Sequence, residues 1–171
     1  MAATYNGSVA NLLDPLANSP LNSPSHSTQH TEINDALQTL GVYQDISSTV
    51  TFGGFTKGNA TITAKYAQAN KWIHFYGRVT LGSTSSLAGP LDVALPSAGT
   101  LGIITMPSAC LFWNGATVFW GTSLHISTTA IRLVAHLVNG TYASNADASS
   151  TVPFTWASGH WFAWNHVYEA A

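Results

Sequence analysis

Charge is what this chain has least of. Of its 171 residues only 7% are charged, with five Lys or Arg against seven Asp or Glu and a net charge of −2. An ordinary domain carries about 25% charged residues. The cations Lys57, Lys65, Lys71, Arg78 and Arg132 are scattered, which leaves phosphate-backbone binding unsupported, so no nucleic acid is expected as a partner. Cysteine is nearly absent too. Cys110 stands alone, so no intrachain disulfide framework exists, and its apolar run (Met106 to Trp113) marks it as a buried small hydrophobe. No run of 18 apolar residues occurs and no basic-then-apolar leader opens the chain, so neither a membrane span nor a signal peptide is expected. Catalytic motifs are missing as well: there is no Gly-x-Ser-x-Gly elbow, P-loop or dinucleotide fingerprint. The expectation is a protein that is not an enzyme and needs no cofactor.

What is present is apolar and aromatic: 46% hydrophobic and 11% aromatic residues, enough for a real core. Polarity comes from Ser, Thr, Asn and Gly. Such a neutral, hydrogen-bonding surface lacks the charge repulsion that keeps monomers apart and favours a packed assembly.

Three regions follow from the pattern. Residues 1–22 contain Asn6-Gly7, Asp14-Pro15 and Ser19-Pro20, and read as an extended arm, either a disordered tail or a segment ordered only against a partner. Its few large apolar residues, Val9, Leu12, Leu13 and Leu16, form a small adhesive set suited to docking on a partner. Residues 23–41 read as one short helix. Ser23 is the N-cap, Pro24 suits the first helical position and Gly41 is the stop. His26, His30, Ile33, Leu37 and Leu40 are spaced 4, 3, 4, 3, a coiled-coil seam. A helix of about 17 residues is marginal alone, so the seam calls for a second copy. His26 and His30 share a helix face, which permits metal chelation, but imidazoles hydrogen-bonded at an interface need no metal, and none is assigned.

From residue 48 to 171 the period becomes two, which predicts an antiparallel β-sandwich of jelly-roll type. Ala60, Ile62, Ala64 and Tyr66 alternate with polar neighbours, as do Ile73, Phe75, Val79 and Leu81, and Ile131, Leu133, Ala135 and Leu137. Gly53-Gly54 predicts a bulge or bend. Further strands are expected near 49–56, 91–95, 101–106, 111–121, 122–128 and 160–168. The last has bulky residues in both registers, which implies cover on both faces, from a neighbouring subunit or from a loop. The segment Asn139–Pro153 has little apolar content and reads as a long exposed loop. Most tryptophans lie in apolar runs and are expected to pack. Trp72 and Tyr142 are the aromatic candidates for ligand contact, with Asn145 and Asp147 on the same long loop as Tyr142.

The pattern Ser23-Pro-x-His26-x-x-x-His30-x-x-x-Asn34-Asp35-Ala36-x-x-x-Leu40-Gly41 resembles an N-terminal motif of tailed-bacteriophage virion proteins, both minor tail and tail-fibre proteins and small head-fibre or capsid-decoration proteins. Tyr66, the stretch from Trp72 to Ser83 and the turn Leu91 to Pro96 resemble the β-sandwich of the same group. The resemblance implies a trimeric virion structural protein, made in the host cytoplasm and carried on the particle surface. Its partners would be the major capsid protein or tail proteins. Decoration of the capsid is the leading expectation, and a tail protein that recognises a host-surface glycan is the alternative.

Overall fold

The computed structural model describes residues 41–100, 108–139 and 142–171. The arm (Val9, Leu12, Leu13, Leu16), the helix seam (His26, His30, Ile33, Leu37, Leu40) and the strand expected at 101–106 lie outside these residues.

Ten strands follow one another: β1 (Gln44–Asp45), β2 (Phe52–Thr56), β3 (Thr61–Ala69), β4 (Trp72–Thr80), β5 (Ser86–Ala94), β6 (Ser108–Trp113), β7 (Val118–Ser127), β8 (Ala130–Asn139), β9 (Tyr142–Asp147) and β10 (Trp161–Glu169). They form one antiparallel sheet in the order β1-β3-β4-β10-β6-β7-β8-β5-β2, with β9 also on β8. The strongest alternations in the sequence became its longest ladders: β3 and β4 pair over their full lengths, from Thr61↔Thr80 to Ala69↔Trp72. Asn70 joins them with a φ of 56°, the left-handed conformation that a two-residue hairpin turn requires.

The sheet curls into a half-barrel. Phe52 and Phe55 on the terminal strand β2 lie edge-on against Phe162 of the central strand β10, at 6.0 and 5.5 Å, and Phe52 also meets Trp164 at 5.9 Å. These rings close the concave side, where Ile73, Phe75, Val79, Leu91, Val93, Phe112, Ile131, Leu133 and Phe162 have no exposed surface. The hydrogen bonds thus describe one curled sheet rather than two stacked ones.

Gly77 shows how tightly the concave side is filled. It lies in the inward row of β4, and a Cβ there would come within 2.4 Å of the Trp164 ring and 2.8 Å of the Thr63 carbonyl. The predicted irregularity is present: the register with β5 shifts between Gly53 and Phe55. Gly54 has φ +68°, and its missing Cβ leaves room for the Pro90 carbonyl. Pro90, which has no N–H for a ladder, sits opposite the irregularity, where a proline is tolerated.

Two expectations change. The segment Asn139–Pro153 is not all loop, since β9 occupies Tyr142–Asp147 and pairs with β8 from Val134↔Asp147 to Asn139↔Tyr142. Beyond Arg132 that edge of β8 is left open by β5, which pairs only with Ala130–Arg132, and unpaired backbone groups on an edge favour any strand that can reach them. The second change concerns β10. Its even residues are buried, but Asn165 is exposed and Trp161, Ala163, Val167 and Glu169 are half-buried, so among the described residues no loop of this chain encloses the convex face.

Candidate functional site

The convex face of β4 and β10 carries the densest set of polar and aromatic side chains. Alternation sends His74, Tyr76 and Arg78 outward from β4 and Trp161, Ala163 and Asn165 outward from β10. Register then sets them side by side: Asn165 is opposite Tyr76, and Ala163 and Thr63 flank Arg78 from its two neighbouring strands. Those two small residues leave the surface low beside Arg78. The result is a cleft of about 530 Å³ walled by Tyr43, His74, Tyr76, Arg78, Asn165 and Thr63.

A hydrogen-bond relay orders one wall. His74 Nε2 lies 2.6 Å from Asn165 Oδ1, and His74 Nδ1 lies 2.6 Å from the Tyr43 hydroxyl. An amide oxygen only accepts, so Nε2 carries the proton and Nδ1 accepts from the phenol. The Asn165 amide hydrogens and the Tyr43 oxygen lone pairs are left for other partners, donors at one end of the relay and an acceptor at the other. The rings brace each other, with Tyr43 edge-on to Tyr76 at 5.2 Å and His74 tilted on Tyr76 at 5.5 Å.

Arg78 forms the other wall. Its guanidinium carbon is 4.7 Å from the centre of the Trp161 ring, and Trp161 stacks on Trp113 at 6.0 Å. A cation over an indole face is held in place without being neutralised. Two of the other four cations have acids: Arg132 binds Asp92 and Asp147, and Lys71 reaches Glu169 at 3.9 Å. Arg78 has no carboxylate within ion-pair distance among the described residues. The aromatic surface continues along the convex face to Trp120, which is 64% exposed.

A second cluster is buried. Ser123 Oγ lies 2.9 Å from His166 Nδ1, and His166 Nε2 lies 3.4 Å from His125 Nδ1. A serine beside a histidine suggests a nucleophile, but the polarity is reversed. Ser123 Oγ donates to the Ser108 carbonyl at 3.1 Å, so His166 Nδ1–H must donate to Ser123 and cannot serve as its base. Ser123 is also fully buried, out of reach of a substrate. Burial, with the neighbouring His125, pushes His166 down to about 4, and burial lowers His125 as well, so both imidazoles are neutral near pH 7. This is packing chemistry. The Cys110 thiol is likewise inert, 1% exposed and pushed up to about 12 by burial.

Of the contact residues expected from the sequence, Trp72 is half-exposed at the start of β4, opposite Glu169. Tyr142 lies on β9 in register with Asn139, and Asn145 is exposed opposite His136. Asp147 accepts from Arg132 Nη1 at 3.0 Å and so fastens β9 to β8. In the sheet order β10, β6, β7 and β8 separate β4 from β9, so the fold does not bring Trp72 together with the other three. Tyr43, His74, Arg78 and Asn165 were missed. The only available signal was Arg78 among outward aromatics on one strand, because Tyr43 and Asn165 reach the cleft through long-range pairing. Among the described residues no group of three His, Cys, Asp or Glu is placed to hold a metal. Comparison with family models, with curated proteins and with solved structures finds no match to this chain.

Proposed function

We propose that this chain is a structural protein of a tailed-bacteriophage virion, a trimeric capsid decoration or head-fibre protein that acts by surface contact and not by catalysis. The observation that carries the contact role is the convex face, where Trp113, Trp161 and Trp120 sit on a domain with almost no charge. Aromatic side chains supply large contact area and are enriched at interfaces, while charge is depleted at interface centres. The motif at residues 23–41 supports the virion assignment. In this proposal the curled sheet serves as the jelly-roll-like body. Helix 24–40 joins three copies through Ile33, Leu37 and Leu40, with His26 and His30 at the polar end of the seam, and the arm docks through Val9, Leu12, Leu13 and Leu16. Sedimentation tests the assembly: Leu37→Asp should yield a folded monomer, and an unchanged oligomer would remove the helix from the interface. Deleting residues 2–20 should abolish addition to particles that lack the protein.

The cleft favours a second reading, a minor tail or tail-fibre protein whose sheet recognises a host-surface glycan. Imaging of tagged protein on intact particles separates the two. Density over the shell supports decoration, and density at the tail tip supports host recognition.

A further inference from the structure

We infer that the Tyr43–His74–Arg78–Asn165 cleft binds a carboxylate-bearing sugar, with the carboxylate on Arg78 and the ring hydroxyls on the Asn165 amide and the Tyr43 oxygen. The inference rests on the glycan reading of the convex face and adds the ligand's charge. Three observations carry it. First, Arg78 is a cation with no acid beside it among the described residues, and no carboxylate lines the cleft. An anion entering there gains a charge-assisted bond without displacing an internal partner. Second, the guanidinium is already positioned over Trp161, so less side-chain freedom is lost on binding. Third, the relay through His74 fixes donor hydrogens on Asn165 at one end and an acceptor oxygen on Tyr43 at the other, positions that suit two separate hydroxyls of one ligand.

An acidic peptide is the competing occupant, and the architecture disfavours it. An extended peptide gains most of its affinity by adding to a free sheet edge. β4 has none, because β3 takes one side over its full length and β10 the other. Recognition here must come from side chains on a closed face, which suits a compact ring with several hydroxyls.

The test titrates the full-length protein with oligogalacturonate, hyaluronan and oligosialate, each against its carboxyl methyl ester, by calorimetry at low salt. At least one acid should bind, and its ester should bind at least about tenfold more weakly, as expected for loss of a hydrogen bond to a charged group. Arg78→Gln should weaken the acid to the level of its ester and leave the ester unchanged. Asn165→Asp, which sets a negative charge in the cleft, should abolish acid binding. Circular dichroism would show both variants folded, since both side chains are exposed. Equal affinity for acid and ester would overturn the carboxylate assignment and leave the glycan reading standing. No binding to any of the six would overturn both. Equal binding of a polyglutamate peptide, lost in Arg78→Gln, would replace the sugar with an acidic polypeptide.

Discussion

Acid should loosen this protein well above the pH at which its carboxylates titrate, and His166 should be the main cause. The imidazole is 2% exposed, hydrogen-bonded to Ser123 on one side and His125 on the other. The titratable groups against it are His125 on β7 and Tyr168 on β10, at ring distances of 5.3 and 5.9 Å. Neither offers a negative charge to a protonated His166, because burial raises Tyr168 far above the working range. The folded value falls from 6.5 to about 4. As pH drops through 6.5 the unfolded chain takes up a proton that the folded chain refuses until about pH 4. Stability is therefore complete above 6.5, is lost progressively down to about 4, and levels off below. The full loss is roughly 3 kcal/mol, and about 2 kcal/mol should be gone between pH 7.5 and 5.0. His125, lowered in the same direction, adds to the loss. Urea titrations at those two pH values measure it. His166→Gln keeps a polar group near Ser123 and has nothing to titrate, so its stability should be lower at pH 7.5 but change much less between 7.5 and 5.0. A variant with the same pH-dependent loss as the parent would refute the reasoning, as would a parent whose stability is flat across that range.

Gly77→Ala should lower stability by at least about 1–3 kcal/mol in urea, since the added methyl overlaps the Trp164 ring and the Thr63 carbonyl and neither has room to retreat. Arg132→Met removes a bidentate grip on Asp92, at 2.7 and 3.1 Å, together with the bond to Asp147. Because the group is partly exposed, about 1–3 kcal/mol is expected, and hydrogen exchange should rise first in β9, which this residue fastens to β8. Cys110 should resist a thiol reagent at pH 8 in the folded protein and react fully in denaturant; rapid reaction when folded would mean that β6 opens locally.

The β character of residues 60–80, 130–138 and 160–169 was written in the sequence, because a strand that buries one face must alternate. Ile73, Phe75 and Val79, and Ile131 and Leu133, did so plainly and proved to be core. The irregularity at Gly53-Gly54 and the burial of Cys110 were legible for equally local reasons, backbone freedom in one case and apolar neighbours in the other. β9 was not legible. Its residues are small and polar, and it is a strand because β8 had an open edge, which is a property of a distant segment. The same cause gives Asp147 a structural tie, since Arg132 reaches it only once β8 and β9 are in register. β10 looked doubly covered because Trp161 and Trp164 are equally large, and only the direction of the curl decided that Trp164 is enclosed while Trp161 lies outside beneath Arg78. The cleft is the extreme case. Tyr43, His74, Arg78 and Asn165 are brought together by the pairing of β3, β4 and β10, with His74 and Asn165 in contact across 91 residues of chain, and one-dimensional periodicity carries no information about which strands become neighbours.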